Sequence, residues 1–187
     1  ANEHTHCTYC SANSNKNTSC ANQSSTAHIN ADSAYCAAEQ GSTTVSIKSG
    51  SDDVNEAGGA FDATTSAIWI GNGGTTTTSY TGLRFTGVAI PRGATITSAQ
   101  LQFYSVQKTW ITINLQVAGE ATGNSAAFSS GSRPSQRTAL TTARVNHSSN
   151  VNWNANTWYT LADVKSVVQE VVNLPSWTSG GSVSLIL

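Results

Sequence analysis

Between Thr95 and Ala118 polar and apolar residues change places at nearly every step. Leu101 and Phe103 alternate with Gln100, Gln102 and Tyr104, and then Ile111, Ile113, Leu115 and Val117 alternate with Thr112, Asn114 and Gln116. A period of two belongs to an extended chain with one wet and one buried face; wound into a helix, the same residues would scatter around its circumference. The period starts at Thr43, where Val45 and Ile47 alternate with Thr44, Ser46 and Lys48, and further strand-like runs are Ala67–Ile70, Tyr80–Ile90 and Val183–Leu187. The chain is therefore expected to be all-β. The stretch 95–118 reads as a hairpin joined around Gln107, Lys108 and Thr109. One segment breaks the pattern: after Thr160 and Asp163, both good helix caps, Val164, Val167, Val168, Val171 and Val172 recur at three- and four-residue spacing. This predicts a short helix over about 162–173, packed as a lid on one end of a sandwich.

A chain of 187 residues suits one well-packed domain. Residues 1–40 are crowded with Asn, Ser and Ala and hold few large apolar side chains beyond Tyr9, Ile29 and Tyr35. They read as an N-terminal arm, with the sandwich domain at 41–187. Cys7, Cys10, Cys20 and Cys36 all lie in that arm. In an exported protein four cysteines in so polar a segment imply two disulfides, with three connectivities open, and a Cys7–Cys10 pair is disfavoured by its tight ring. The competing reading is zinc held by His4, His6, Cys7 and Cys10, which lacks the second half of a finger-like motif. The start at Ala1, with no methionine in the chain, fits a mature exported form.

The string Thr81-Gly82-Leu83-Arg84-Phe85, followed by Ile90-Pro91-Arg92-Gly93-Ala94-Thr95-Ile96-Thr97-Ser98-Ala99-Gln100-Leu101, resembles the core phrase of the DNRLRE-type family of carbohydrate-binding jelly rolls. Trp158, Asp163, Val164, Val167, Val168, Gln169 and Val172 are similar to that family's later segment, in which a short helix precedes a strand like Val183–Leu187. The resemblance spans about 43–187 and leaves the cysteine arm outside. It implies a jelly-roll β-sandwich, a carbohydrate-binding role, and a final strand beyond Leu187 that this sequence lacks.

Charged residues make up 10% of the chain and the net charge is -1, so no field gathers phosphate and nucleic acid is not an expected partner. No run approaches the ~20 apolar residues of a membrane span. No nucleophile phrase, phosphate-binding glycine loop or cofactor motif is present, and His147 reads as a solvated loop residue, so no enzyme is expected. Asp52, Asp53 and Glu56, with Asp62 nearby, are candidate calcium ligands in a Gly-rich loop, the alternative being an Asp paired with Arg84 or Arg92; no other cofactor is expected. Trp153, set among Asn150, Asn152, Asn154 and Asn156, is the candidate sugar platform. Asn17, Asn22 and Asn146 head glycosylation sequons.

Two function classes follow. The first is a structural subunit of an extracellular fibre or surface layer, polymerising with itself head-to-tail by strand exchange. Val45 and Ile47 next to the arm, or Val183, Leu185 and Leu187 at the other end, are the candidate assembly strands. The second is a secreted module that binds glycans.

Overall fold

The computed structural model describes residues 5–12, 40–71 and 78–187, with 5–12 and Gln40 given by their backbone. The described elements are β1 (Thr5–Ala12), β2 (Gln40–Ser46), β3 (Asp53–Ala57), β4 (Ala60–Asp62), β5 (Ser79–Val88), β6 (Thr95–Ser105), β7 (Thr109–Gly119), a 3-10 turn (Pro134–Gln136), β8 (Val145–Trp153), β9 (Thr157–Asp163), α1 (Lys165–Asn173) and β10 (Gly181–Ile186). They form two antiparallel sheets, ordered β2-β1-β6-β9 and β4-β3-β5-β10-β7-β8. The inward sides of both meet in one apolar core that includes Leu83, Phe85, Leu101, Phe103, Val117 and Leu185. The all-β expectation holds.

β6 and β7 alternate as expected, but they are not a hairpin. They lie in different sheets. β6 pairs with β9 so that Ser105 faces Thr157, and β7 pairs with β8 so that Thr109 faces Trp153. The two pairs are one long ribbon folded over at 106–108 and 154–156, pinned by the bond from the Asn156 amide to the Ser105 carbonyl at 2.7 Å. An in-plane hairpin and an out-of-plane fold bury the same alternate residues, so alternation cannot distinguish them. The partners β8 and β9 decide. Residues 146–149, expected as a solvated loop, form part of β8, and His147 is half-buried opposite Leu115.

Ala67–Ile70 is not a strand either. The Asn55 side chain donates to the Trp69 carbonyl at 2.8 Å and accepts the Trp69 amide at 2.9 Å, so a carboxamide occupies the place of a neighbouring strand and no ladder forms. The helix starts at Lys165, three residues later than expected, because 162–163 finish β9. Thr160 lies inside β9 and does not cap the helix, whereas the Asp163 carboxylate accepts the Lys165 amide at 3.0 Å and the Ala99 amide at 3.0 Å. Val167, Val168, Val171 and Val172 are buried against the ends of β6 and β7. Two polar side chains fix the helix laterally. Gln169 accepts the Ile96 amide at 2.7 Å and donates to the Ala94 carbonyl at 2.9 Å, and Glu170 accepts the Thr142 and Ala143 amides at 2.7 and 2.8 Å.

β1 is the least expected element. It lies between β2 and β6, pairing His6–Ala12 with 40–46 and Thr5–Ala12 with 95–103. The first segment of the chain thus supplies an inner strand of the four-stranded sheet. Positions 7 and 10 stand opposite Leu101 and Ser98 respectively. Cys20 and Cys36 lie outside the described residues, as do Asn17, Asn22 and His4.

Candidate functional site

The acidic residues expected to gather round calcium do not converge. Asp52 is paired with Arg84, Nη1 to Oδ1 at 2.7 Å. Glu56 points the other way, accepting from the Ser135 hydroxyl at 2.7 Å and the Ser135 amide at 3.0 Å, with Arg133 Nε 3.7 Å away. Asp62 caps a local turn through Thr64 and Thr65, whose hydrogen bonds hold its pKa below the usual carboxylate value. Among the described residues no group of three or more His, Cys, Asp or Glu side chains is placed to hold a metal. The pairing of an Asp with Arg84 is the arrangement found.

Asp53 differs. β3 sets it opposite Leu83 of β5, on the side of the sheet that faces the main core, and its residue is only 7% exposed. Burial pushes its carboxyl up to about 6; its own amide lowers the value and Asp52 next to it raises it. It lines a cavity of about 330 Å3 at the folded corner of the ribbon, together with Trp69, Tyr104, Trp110, Ile111 and Trp153. Each wall has a local cause. Trp69 is held by Asn55, Tyr104 and Trp110 flank the bend, and Trp153 ends β8 where the ribbon folds.

The tryptophans divide unlike the expectation. Trp153 is 6% exposed and stacked on Tyr159 at 4.5 Å and 4°, so it is a core residue and not a surface platform. Trp110 is 62% exposed. It stands on the outer face of the β7–β8 pair, its indole N–H donating to Asn150 Oδ1 at 2.6 Å. The same face carries Thr112 bonded to Asn150, Ser148 to Asn114 and Gln116 to Asn146, which makes a flat ladder of hydroxyls and amides. Asn146, the sequon asparagine, is exposed there. The signal for Trp110 was in the sequence, since 110 is in phase with the outward residues 112, 114 and 116.

None of the known protein families, curated proteins or solved structures compared with this chain matches it. The roles of its residues therefore rest on geometry.

The remaining expected sites are placed as follows. Val45 is half-buried against the core and Ile47, just past β2, is 1% exposed. Val183 and Leu185 lie in β10, an inner strand between β5 and β7 with all six residues buried, and Leu187 follows it with amide and carbonyl both bonded to Thr81. Burial lowers the pKa of His147. No helix among the described residues is long and apolar enough to cross a membrane.

Proposed function

We propose that this chain is a jelly-roll subunit of an extracellular fibre, joined head-to-tail by donation of its N-terminal strand. The observation that carries the reading is the position of β1, an inner strand contributed by the first residues of the chain between two strands that do not pair with each other. The stretch 13–39 that links β1 to β2 can span up to about 90 Å when extended, at roughly 3.3 Å per residue, which is enough to reach a neighbouring molecule. Exchanging β1 between copies keeps every strand contact and adds only the cost of association. A head-to-tail exchange does not close on itself, so repetition gives a filament. β10 is a poor donor by comparison, because only residues 174–180 join it to α1, a reach of about 23 Å at roughly 3.3 Å per residue. Low charge and a hydroxyl- and amide-rich surface are consistent with life outside the cell, and the cysteines at 7, 10, 20 and 36 would staple the donated segment.

The test is negative-stain imaging and sedimentation of the full chain beside one lacking residues 1–39. The full chain is expected to form filaments. The truncated one is expected to stay monomeric, less stable, and to be restored by added peptide 1–39. If both remain monomeric and equally stable at high concentration, the reading fails.

A second reading, a glycan-binding module, is favoured by one observation: Trp110 is exposed beside a flat row of amides and hydroxyls. A ring of that kind stacks on sugar faces. Glycan-array binding that is lost in Trp110→Ala and kept in Trp153→Phe would support it.

A further inference from the structure

We infer that the cavity at the folded corner, bounded by Asp53, Trp69, Tyr104, Trp110, Ile111 and Trp153, is a binding site for an organic ammonium group. Asp52 and Glu56 are buried and Glu120 is part-buried. Asp52, Glu56 and Glu120 each stand against an arginine, Arg84, Arg133 and Arg137 respectively. Asp53 is as buried as Asp52, yet among the described residues it makes no ion pair and receives no side-chain hydrogen bond. Lys108, in the bend that borders the cavity, is exposed and does not line it. A buried carboxylate without a counter-charge is costly, and three times over this fold supplies the counter-charge itself.

At Asp53 the fold supplies space instead. The cavity of about 330 Å3 exceeds the volume of one water about tenfold, a water taking roughly 30 Å3 in the liquid. Trp69 and Trp153, among its lining residues, narrow the choice of occupant, whereas the side chains of Trp110 and Tyr104 turn to the outer faces of their strands. Indole and phenol rings attract cations through their negative faces, and the attraction grows when the cation is desolvated. An ammonium on an apolar stem meets both demands, with its charge against Asp53 and its stem against Ile111 and the rings. A divalent metal does not fit, because a single carboxylate among aromatic rings offers too few oxygens. An anion is repelled by Asp53. The site is independent of the fibre reading, since none of the six residues belongs to β1.

The experiment titrates the full chain near pH 7.5 with n-butylammonium chloride by calorimetry, beside n-butanol as the neutral analogue of the same shape. One n-butylammonium per chain is expected, with n-butanol at least roughly tenfold weaker. Asp53→Asn is expected to lose the preference for the charged ligand, while Asp62→Asn, a part-exposed carboxylate outside the cavity, is expected to keep it. A parallel arm with Nα-acetyl-lysine methylamide distinguishes the source. Equal binding assigns the site to a lysine side chain of another polypeptide, and binding of n-butylammonium alone assigns it to a free amine. Because a variant can fail to fold, the Asp53 carboxyl of the unaltered chain is also titrated by carbon NMR; saturating n-butylammonium is expected to lower its midpoint. Equal affinity for n-butanol, an undiminished preference in Asp53→Asn, or an unmoved Asp53 titration would each overturn the assignment.

Discussion

The two sides of β3 meet very different surroundings. On one side Val54 packs with Phe128 and Ile186, and Glu56 is held by Ser135 beside Arg133. The segment 120–140 closes over this side, and Arg137 stitches it shut. Arg137 donates to both Glu120 oxygens at 2.9 Å and to the Ala127 carbonyl at 2.9 Å, and lies over the Phe128 ring at 4.9 Å. On the other side Asn55 and Asp53 face the core at the folded corner. Asn55 finds partners in Trp69 and Thr81, whereas Asp53 finds a cavity. One strand of five residues thus shows two ways of burying a carboxylate: neutralise it with a neighbour, or leave room beside it. The first pairs the charge within the fold, and the second leaves it without a partner among the described residues.

The largest effect is expected where neither remedy exists. Val168 is 3% exposed on the inner face of α1, so Val168→Asp sets a carboxylate in a packed core with no arginine and no cavity. A loss of about 4–5 kcal/mol or more is expected, and the variant should fail to show a cooperative melt. A soluble variant with unchanged melting would break the comparison at its root.

Removing the counter-charge from the closed side comes next. Arg137→Ala leaves Glu120 part-buried without its partner and frees the carbonyls of 126 and 127, at an expected cost of about 3–5 kcal/mol by urea unfolding.

On the open side the sign reverses. Asp53 has a folded pKa of about 6 against an ordinary value of 3.8. The folded state therefore binds the proton more tightly than the unfolded chain. Stability from this group is fully present below about pH 3.8, falls as pH rises between the two values, and is lost above about pH 6. Asp52 next to it raises the value further, and Arg84 is committed to Asp52. Asp53→Asn escapes the penalty and should be more stable by about 2–3 kcal/mol near pH 7.5, at 1.36 kcal/mol per pKa unit. Its advantage should vanish near pH 3.5. A variant that is less stable at pH 7.5 would mean that Asp53 already has a cation.

The smallest effect on stability is expected at the cavity mouth. Trp110 is largely exposed, so Trp110→Ala should change the melting free energy by about 0.5 kcal/mol or less. A larger loss would make Trp110 part of the core and remove it from either ligand reading.

Much of this was legible in the residues, and the failures share one cause. The alternation over 101–117 and the valine stripe at 164–172 were read from local periods, because each states which side of its own backbone is apolar. Neither period says which strand lies alongside, and so the expected hairpin at 95–118 was a fold between sheets. Trp153 was misplaced because its asparagine neighbours are outward or in the bend while its own position points inward. The calcium reading failed because proximity in sequence put Asp52, Asp53 and Glu56 together, and strand geometry turned them apart.

By itself the sequence determined the local conformational class, one helix among strands, the phase of β6 and β7, and the absence of charge runs. The physical reason is that backbone period and side-chain polarity act within a few residues. Tertiary structure alone decided that β1 enters the sheet between β2 and β6, that the β6–β9 and β7–β8 ribbon folds over, and that Asp53 keeps its charge problem while Asp52 does not. Those outcomes depend on which distant residue arrives next to which: Arg84 lies 32 positions from Asp52, and no arginine arrives at Asp53.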